Sequence, residues 1–536
     1  MPVSQPFRVV CQGGLDLTTS PYELLGRPNV ATRLTNFEVS NDGGYRRIKG
    51  YSKYGAGSAT RPDGANKILG VYPYALGVVV CVSTNIYYSE DGITWIQINK
   101  DTGHAGSTEA VLATDTVLPR TAQGRAQFVL MKAPTGHTSS TYGSLSIATG
   151  PNAMGHFHIE GTGGSRTFTF EEVSTPTNAT YIEYHDHHLC VVDATNAPST
   201  VYYSANDDDR DFAGTGAGSI TLADKVVGLK SFRDDLYIFC ANSIHKLVNI
   251  NTSSDTAVVQ VTNNLGCVSG YTIQEIGGDL IFLASDGLRT IAGTERIDDI
   301  ELGTLSRPIS PLLETIINNS ASYDFSSTVL KNKDQYRLFY INENNEASTQ
   351  KGIIGTIRSG QNGNNFEWSE TLGIEAYSIS SGFNTEGEDV NYHGDLDGYI
   401  YIHNSGNDFD GTAISYEYET PDMDFGDPGV RKTLHYMLLS VQPQGSTDIK
   451  LNTKYEFKNQ GLIQPGQQAV GTIASPSYYG TATYGSSIYG GSIYPIKRIN
   501  LRGSGTSASF SFTGSDSNPP FAITGFYITF VPMDRR

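Results

Sequence analysis

The stretch Ile86-Tyr87-Tyr88-Ser89-Glu90-Asp91-Gly92-Ile93-Thr94-Trp95 follows an apolar segment, residues 78–82, and runs into an acidic turn. The same pattern returns at Val201-Tyr202-Tyr203-Ser204, which follows the apolar segment 189–192 and precedes an acidic loop at 207–211. Further apolar segments of this kind lie at 235–240 and 279–283. A strand, a tight turn, a second strand and a polar loop, repeated along a chain, predict a β-propeller, which is a ring of small sheets.

These repeats place the propeller at residues 61–406. Candidate blades lie near 66–98, 125–172, 178–222, 226–262, 270–300, 322–370 and 372–405. The expected count is six or seven, because residues 124–167 are rich in Gly, Ser, Thr and His and fit an insertion as well as a blade.

The two ends of the chain differ from the repeats. Residues 1–60 contain no blade pattern and are predicted to be an extended segment that contacts a neighbouring subunit or ring. The candidate contact residues are the cations of this segment: Arg33, Arg46, Arg47 and Lys49. Residues 407–536 are predicted to form a separate C-terminal antiparallel β-sandwich, with alternation at 412–419 and a Tyr/Gly-rich loop at 475–494.

Composition favours the same all-β fold class. Of the 536 residues only 17% are charged, whereas Gly occurs 58 times and Tyr 32 times. This balance is typical of strands joined by tight turns. One short helix is expected at 310–317, where a serine and a proline precede apolar residues at helical spacing.

The net charge of −18 bears on partners. It argues against a protein that holds nucleic acid by neutralising phosphates. It is compatible with a channel whose acidic wall does not bind the DNA that passes through it. It is equally compatible with an acidic surface that only maintains solubility. The candidate lumen-facing acidic residues are Asp207, Asp208, Asp209, Asp408 and Asp410.

The five cysteines, Cys11, Cys81, Cys190, Cys240 and Cys267, are far apart and form no CxxC pair. Three of them lie in apolar segments, where a free thiol behaves as a small apolar side chain. The sequence contains no apolar stretch long enough to span a bilayer. Its first residues do not have the pattern of a signal peptide. We therefore expect reduced, buried cysteines and synthesis in a cytoplasm.

Ser89, Asp91, Gly92, Thr94 and Trp95 resemble the Asp-box, the hairpin turn of sialidase-type propellers. In that turn the aspartate binds its own loop and the glycine permits a positive φ, so the motif is predicted to be structural. Two alternative functions nevertheless stay open: a glycoside-cleaving or carbohydrate-binding propeller, and a scaffold propeller that binds peptides on its face and forms no ring. A sialidase needs an arginine cluster and a paired acid, and the arginines here are scattered.

No metal or cofactor is expected. His185-Asp186-His187-His188 resembles a metal site, but successive strand residues point to opposite faces, so a turn is favoured. The loops at 207–211 and 407–411 are acidic enough for calcium but lack the spacing of a helical calcium loop. They are predicted to be solvated.

Taken in chain order, four segments resemble the nozzle proteins of short-tailed bacteriophages, also called tail tubular protein B, and the packaged-DNA stabilisation proteins of related virions. The segments are Gly13-Gly14-Leu15-Asp16 with 46–51; 201–204 with Asp211-Phe212; Ala284-Ser285-Asp286-Gly287-Leu288; and the passage from Asp397-Gly398-Tyr399 through Asp410-Gly411 and Glu419-Thr420 to Arg431-Lys432. The stretch 136–158 has no counterpart in this resemblance.

The resemblance implies a virion protein of the phage tail with no enzymatic activity, made in the host cytoplasm. Six copies would form a ring below the portal and adaptor rings. That ring would continue and gate the DNA ejection channel and carry tail fibres or spikes. Its implied partners are other copies of itself, an adaptor or portal-side tail protein, the fibre or spike proteins, and genomic DNA that passes without sequence-specific binding.

Overall fold

The fold is all-β in the computed structural model, which describes residues 4–40, 43–99, 120–131, 140–160, 167–173, 175–251, 256–291, 305–344, 350–360, 363–384, 387–471 and 496–533. The Tyr/Gly-rich loop predicted at 475–494 lies outside these residues.

The strands before the ring and in its first five sectors are β1 (Gln5–Val10), β2 (Arg33–Thr35), β3 (Phe37–Val39), β4 (Tyr45–Arg47), β5 (Tyr51–Lys53), β6 (Pro62–Ala65), β7 (Ile68–Tyr74), β8 (Gly77–Val82), β9 (Asn85–Ser89), β10 (Ile96–Ile98), β11 (Gln127–Met131), β12 (Ser140–Ala148), β13 (Met154–Glu160), β14 (Thr167–Val173), β15 (Tyr181–His185), β16 (His188–Val192), β17 (Thr200–Tyr203), β18 (Gly218–Thr221), β19 (Val226–Phe232), β20 (Asp235–Cys240), β21 (Ile244–Val248), β22 (Ala257–Thr262), β23 (Gln274–Ile276), β24 (Asp279–Ala284) and β25 (Gly287–Thr290).

The remaining strands are β26 (Asp324–Leu330), β27 (Gln335–Ile341), β28 (Lys351–Gly360), β29 (Gly363–Leu372), β30 (Ser378–Phe383), β31 (Asp389–Gly394), β32 (Ile400–His403), β33 (Ile414–Glu419), β34 (Lys432–Pro443), β35 (Lys450–Tyr455), β36 (Gln468–Ala469), β37 (Ile496–Asn500), β38 (Ser504–Gly505), β39 (Ala508–Asp516) and β40 (Phe521–Pro532). The α-helices are α1 (Pro21–Leu24) and α2 (Ser310–Asn318), and short 3₁₀ turns lie at Ala56–Ser58, Gly270–Thr272, Arg307–Ile309, Ser320–Ser322 and Lys331–Lys333. Helix α2 is the helix predicted from the sequence.

The ring consists of six separate antiparallel sheets and a seventh sector. Four sheets follow the chain in order, β7–β10, β11–β14, β15–β18 and β19–β22, and the fifth contains β23–β25. The sixth sector, β26–β29, continues into a nine-stranded sheet, and the last blade contains β30–β32 and β5. The predicted propeller of six or seven blades is therefore confirmed. Residues 140–160 form two strands of the second blade rather than an insertion.

The ring is closed by a strand from the N-terminal region. β5 pairs with β32 in an antiparallel register, so residues early in the chain supply the outermost strand of the last blade. Gly50 lies directly before this strand, and a Cβ atom on it would stand 1.6 Å from the carbonyl oxygen of Asp408. Only glycine allows the two backbones to come this close.

The C-terminal strands form a two-layer sandwich with strands from the N-terminal region. One layer has the order β3-β4-β40-β34-β37, with β1 also paired to β40. The other layer contains β33, β39 and β35 of the nine-stranded sheet. Their facing side chains interdigitate: the ring of Phe526 packs 5.9 Å from that of Phe510 and 5.6 Å from that of Phe512. Burial of aromatic side chains of this size stabilises the interface of the layers.

The N-terminal residues are thus not a separate extended segment, contrary to expectation. β1 pairs with β40 along its whole length, from Gln5 opposite Phe530 to Val10 opposite Gly525. β2 pairs with β33, and β3 and β4 extend the β40 sheet. A strand of three residues gives too short an alternation to be detected in a sequence. In addition, β1, β2 and β4 each pair with a strand that lies several hundred residues away.

All five cysteines are buried, as expected for Cys81, Cys190 and Cys240 in blade strands. Burial raises the pKa of the Cys81 and Cys240 thiols to about 11 and that of the Cys11 and Cys267 thiols to about 12. The thiolate is the reactive form.

We therefore expect iodoacetamide at pH 8 to label less than about one tenth of the thiols in the native protein. The reagent cannot reach the buried side chains, and few of the thiols are deprotonated at this pH. Mass spectrometry after brief labelling measures this, and the denatured chain, which should take five labels, is the control. Rapid labelling of Cys81, Cys190 and Cys240 without denaturant would contradict the blade assignment.

Candidate functional site in the bore of the propeller

The innermost strands of the seven sectors surround a cavity of about 500 Å³. Each sector contributes backbone or side chains to its wall, and the polar contributions come from Arg125, Gln127, Glu183, Lys230, Gln274, Ser326, Ser327, Ser378, Ser380 and Ser381. Aromatic rings are added by Tyr72 and Phe128, which stack with centroids 5.5 Å apart. A concave, partly polar cavity of this size is a default binding site in a propeller.

Arg125 joins opposite sides of this bore. It precedes the second blade, but its Nη1 donates to the carbonyl oxygen of Phe325 at 2.6 Å and its Nη2 to that of Tyr377 at 3.0 Å. Its guanidinium also lies 3.9 Å from the ring centroid of Tyr271. These contacts fix the cation between the second blade and the fifth to seventh sectors, so it acts as a cross-brace.

Lys230 and Glu183 form an ion pair in the same wall, with Nζ and Oε1 3.0 Å apart. The carboxylate of Glu183 raises the pKa of Lys230, more than offsetting the effect of burial. Glu183 is the single carboxylate among the cavity-lining residues in the described part of the chain. The described lining therefore lacks the pair of carboxylates that flanks the scissile bond in most glycosidases.

The Asp-box residues form a turn that is held by hydrogen bonds within the turn and that contacts the backbone following β5, the strand that closes the ring. Oδ1 of Asp91 accepts hydrogen bonds from the backbone N–H groups of Ile93 and Thr94, both at 2.8 Å, and the Ser89 hydroxyl donates to it at 3.1 Å. The N–H groups of Thr94 and Ile93 hold the pKa of Asp91 below its usual range. Gly92 has a φ of 69° and abuts the backbone after β5.

The indole of Trp95 completes this link, since its Nε1 donates to the carbonyl oxygen of Thr60 at 3.2 Å and its ring lies beside Tyr54. The turn thus fastens the first blade to the chain that leaves the last blade. These contacts agree with the structural role that the sequence predicts for the turn.

The predicted basic contact residues do not form one patch. Arg47 is fully buried, and its Nη1 lies 3.2 Å from Oδ1 of Asp516, so it cannot contact another protein. Its assignment as an inter-ring contact is therefore wrong, because the side chain crosses between the sandwich layers. Arg33 and Lys49 are both exposed, and Arg33 lies 3.6 Å from Glu417. Arg46 is half-buried.

The predicted acidic loops also separate. Asp209 is fully buried, with Oδ2 2.7 Å from Nδ1 of His156, so it cannot face a lumen. Asp207 and Asp208 are exposed at the rim of the third blade. Asp408 and Asp410 lie beside β5 at the outer edge of the last blade, where Asp410 pairs with Lys53 at 3.0 Å. The placement of these four carboxylates toward a DNA channel remains a prediction.

The His185–His188 segment is a turn between β15 and β16. Asp186 and His187 occupy the turn with φ values of 44° and 70°, while Nδ1 of His188 contacts the carbonyl oxygen of Ser204 at 2.6 Å. Within the described residues, no group of three His, Cys, Asp or Glu side chains is arranged to hold a metal ion. None of the described helices is long and apolar enough to cross a membrane.

A buried polar network under the ring closure was not detected in the sequence. Glu38 of β3 contacts Lys333 at 2.6 Å and Arg337 at 2.9 Å. Arg337 in turn lies 2.8 Å from Nε2 of His403, whose Nδ1 lies 3.3 Å from Nδ1 of His393. These residues come from the sandwich, the sixth sector and the last blade, so nothing in their local sequence brings them together.

This network makes stability depend on pH. Burial lowers the pKa of His393 to about 3, and burial together with Arg337 lowers that of His403 well below its usual value. Both imidazoles stay neutral in the folded chain, whereas the unfolded chain takes up protons below about pH 6.5. Stability is therefore expected to fall as the pH drops from about 6.5 toward 3, by up to about 1.4 kcal/mol per pH unit for each histidine.

Urea unfolding at pH 7.0, 6.0 and 5.0 measures this loss. His393→Gln should reduce the slope by about 1.4 kcal/mol per pH unit, and the exposed His435→Gln is the matched control. An unchanged slope in His393→Gln would show that this imidazole is not responsible.

Comparison with known proteins gives no family. Neither a protein-family model nor a curated protein matches this sequence. Among solved structures, the extracellular domain of a hybrid two-component system protein from B. thetaiotaomicron is 8% identical, with a TM-score of 0.35 over 66% of this chain and 39% of that one. The CNH domain of AfRom2 is 12% identical (TM-score 0.34; 64% of this chain, 97% of that one).

An exo-β-1,3-galactanase from Phanerochaete chrysosporium is 8% identical, with a TM-score of 0.26 over 90% of this chain and all of that one. Similarities this distant carry no argument about function. The strand order itself defines the class, a β-propeller joined to a β-sandwich.

Proposed function

We propose that this protein is a structural subunit of a bacteriophage tail, the nozzle ring that continues and gates the DNA ejection channel. In this role six copies surround the channel below the portal and adaptor rings. They contact an adaptor or portal-side protein on one side and support fibres or spikes on the other. The protein then belongs to the virion and has no catalytic activity of its own.

The observation that carries this proposal is the contact between two of the segments that resemble the nozzle family. Tyr51, from the first segment, stacks on Phe409, from the last, with ring centroids 5.1 Å apart. The backbone N–H of Tyr51 donates to Asp408 at 3.1 Å, and Arg47 donates to the carbonyl oxygen of Asn407 at 3.3 Å. Two stretches about 360 residues apart thus form one junction between propeller and sandwich, which supports a common structural origin for the resemblance.

The alternative function is a propeller that binds or cleaves glycans. Its support is the Asp-box turn and the cavity in the bore. The turn, however, fastens the ring closure, and Glu183 in the bore is paired with Lys230 and has no second carboxylate beside it in the described lining. The structural role is therefore favoured.

Location in the particle tests the proposal. An antibody raised against the purified chain should label the tail of purified phage particles by immunogold microscopy. Image averaging of the tail should resolve six copies, about 350 kDa for a chain of 58.0 kDa. Absence of the protein from purified particles, or cleavage of a glycan substrate by the purified chain, would overturn it.

The net charge of the protein leads to a separate prediction about its affinity for duplex DNA. A net charge of −18 leaves no excess of cations to neutralise phosphates. At about 0.15 M salt, fluorescence anisotropy with a duplex oligonucleotide should show no binding below about 100 µM protein. Tight binding that weakens steeply with added salt would instead indicate a basic channel wall.

A further inference from the structure

One face of the sandwich is left open by the described residues. In the sheet β1-β40-β34-β37, the register aligns Arg8 with Tyr527, Tyr527 with Leu438 and Leu438 with Arg498. Tyr436 and Ile496 lie in the adjoining rows of the same face. We call these six residues the outer face; the side chains that alternate with them fill the core of the sandwich.

The outer face has the composition of a protein interface. Tyr527 is 43% exposed and Ile496 66% exposed. Tyrosine and arginine are enriched in interfaces, and adjoining exposed apolar side chains mark contact surfaces.

The charge of the outer face is opposite to that of the whole chain. Arg8 lies 5.8 Å from the centroid of Tyr527, and Arg498 lies 4.1 Å from that of Tyr436. No carboxylate of the described residues forms an ion pair with either arginine. A protein of net charge −18 thus presents two guanidinium groups over aromatic rings, and neither is paired with a carboxylate of the described residues.

A complementary surface lies on the third blade of the same chain. Asp186, Asp207 and Asp208 are grouped at its rim; the side chains of Asp207 and Asp208 are 52% and 42% exposed, and Asp186 is also exposed. The nine-stranded sheet and β5 join the sandwich to the sixth and seventh sectors. In a ring of seven sectors, the third blade lies across from these two.

We propose that the outer face binds the acidic rim of the third blade of a second copy. In this arrangement Asp207 and Asp208 face a neighbouring subunit, and this replaces the lumen placement predicted for them from the sequence. The contact is heterologous, because two different surfaces of the chain meet, and repetition of such a contact builds a ring when the rotation closes. This inference rests on the proposed ring assembly and identifies the surfaces that form it. Tyr527 and Leu438 would be the buried centre, and Arg8 and Arg498 would pair with the partner's carboxylates.

Charge reversal tests the contact in the purified full-length chain by sedimentation velocity over rising concentration. Arg8→Glu/Arg498→Glu should raise the concentration needed for assembly by about 100-fold, because like charges would meet across the contact. Asp207→Lys/Asp208→Lys should do the same from the other side. Arg502→Glu, an exposed arginine of the same sandwich outside the outer face, is the matched control and should assemble like the wild type.

An equimolar mixture of the two reversed variants should assemble again, because each reversed surface then meets its new complement. Copies of the two variants must alternate, so the mixed ring closes only with an even number of subunits, as in a hexamer. Thermal melts establish that all variants are folded.

Assembly of Arg8→Glu/Arg498→Glu at the wild-type concentration, or failure of the folded mixture to assemble, would overturn the inference. A wild-type chain that stays monomeric up to about 200 µM would also overturn it. The proposed tail function is judged separately, by the location of the protein in particles.

Discussion

Glu38→Gln is expected to destabilise the folded chain by about 3–5 kcal/mol, the range for breaking a buried ion pair by removing one partner. Glu38 is 2% exposed and is the only described carboxylate in contact with Lys333 or Arg337. Burial acts to raise the pKa of Glu38, but Lys333 and Arg337 outweigh it and hold the pKa below its usual range. A neutral amide would leave the fully buried Arg337 without its counter-charge.

Urea unfolding at pH 7 measures this effect, with the exposed Glu314→Gln on helix α2 as the matched control. The control should change stability by less than about 0.5 kcal/mol. A loss below about 1 kcal/mol in Glu38→Gln would mean that water or a rearranged neighbour compensates the two cations.

Gly50→Ala is expected to prevent closure of the ring. The added methyl group would overlap the backbone of Asp408, with its carbonyl oxygen at 1.6 Å, and no side-chain rotation relieves a clash with backbone. β5 would have to leave β32, which opens the last blade and exposes the stacked rings of Tyr51 and Phe409. The loss should exceed about 3 kcal/mol, at the upper end of overpacking effects.

Gly57→Ala is the matched control, because a Cβ atom there meets nothing within 4 Å. Soluble yield and the midpoint of thermal unfolding should match the wild type for Gly57→Ala and fall sharply for Gly50→Ala. Equal midpoints for the two variants would place the closing strand elsewhere.

The blades could be predicted because their signal is local. Segments such as 78–82 and 235–240 are buried on both sides between neighbouring blades, so they form apolar runs that are bounded by turns. The Asp-box turn could likewise be predicted, because all of its residues lie within the short segment 89–95. Residues 124–167, which are rich in Gly, Ser, Thr and His, give no comparable apolar run, so the sequence alone leaves open whether they form a blade or an insertion.

The contacts that join distant residues could not be predicted. Arg125 is one of several scattered arginines in the sequence, and only the ring brings it to Tyr271 and Phe325. Arg47 has the charge of a surface residue but lies between the sandwich layers beside Asp516. Sequence patterns report which side a residue faces relative to its neighbours in the chain, and they carry no information about long-range pairing.

The placement of β1 and β5 has a consequence for synthesis of the chain. β1 ends at Val10 and its partner β40 begins at Phe521, so about 510 residues are synthesised between the two strands. At about 5–20 residues per second, roughly 30–100 s separate the two. During that interval β1 has no native partner, and pairing at such sequence separation is intrinsically slow. A nascent chain that stops short of β40 can therefore build blades but cannot complete the sandwich, because the strand that pairs with both β1 and β34 has not yet been made.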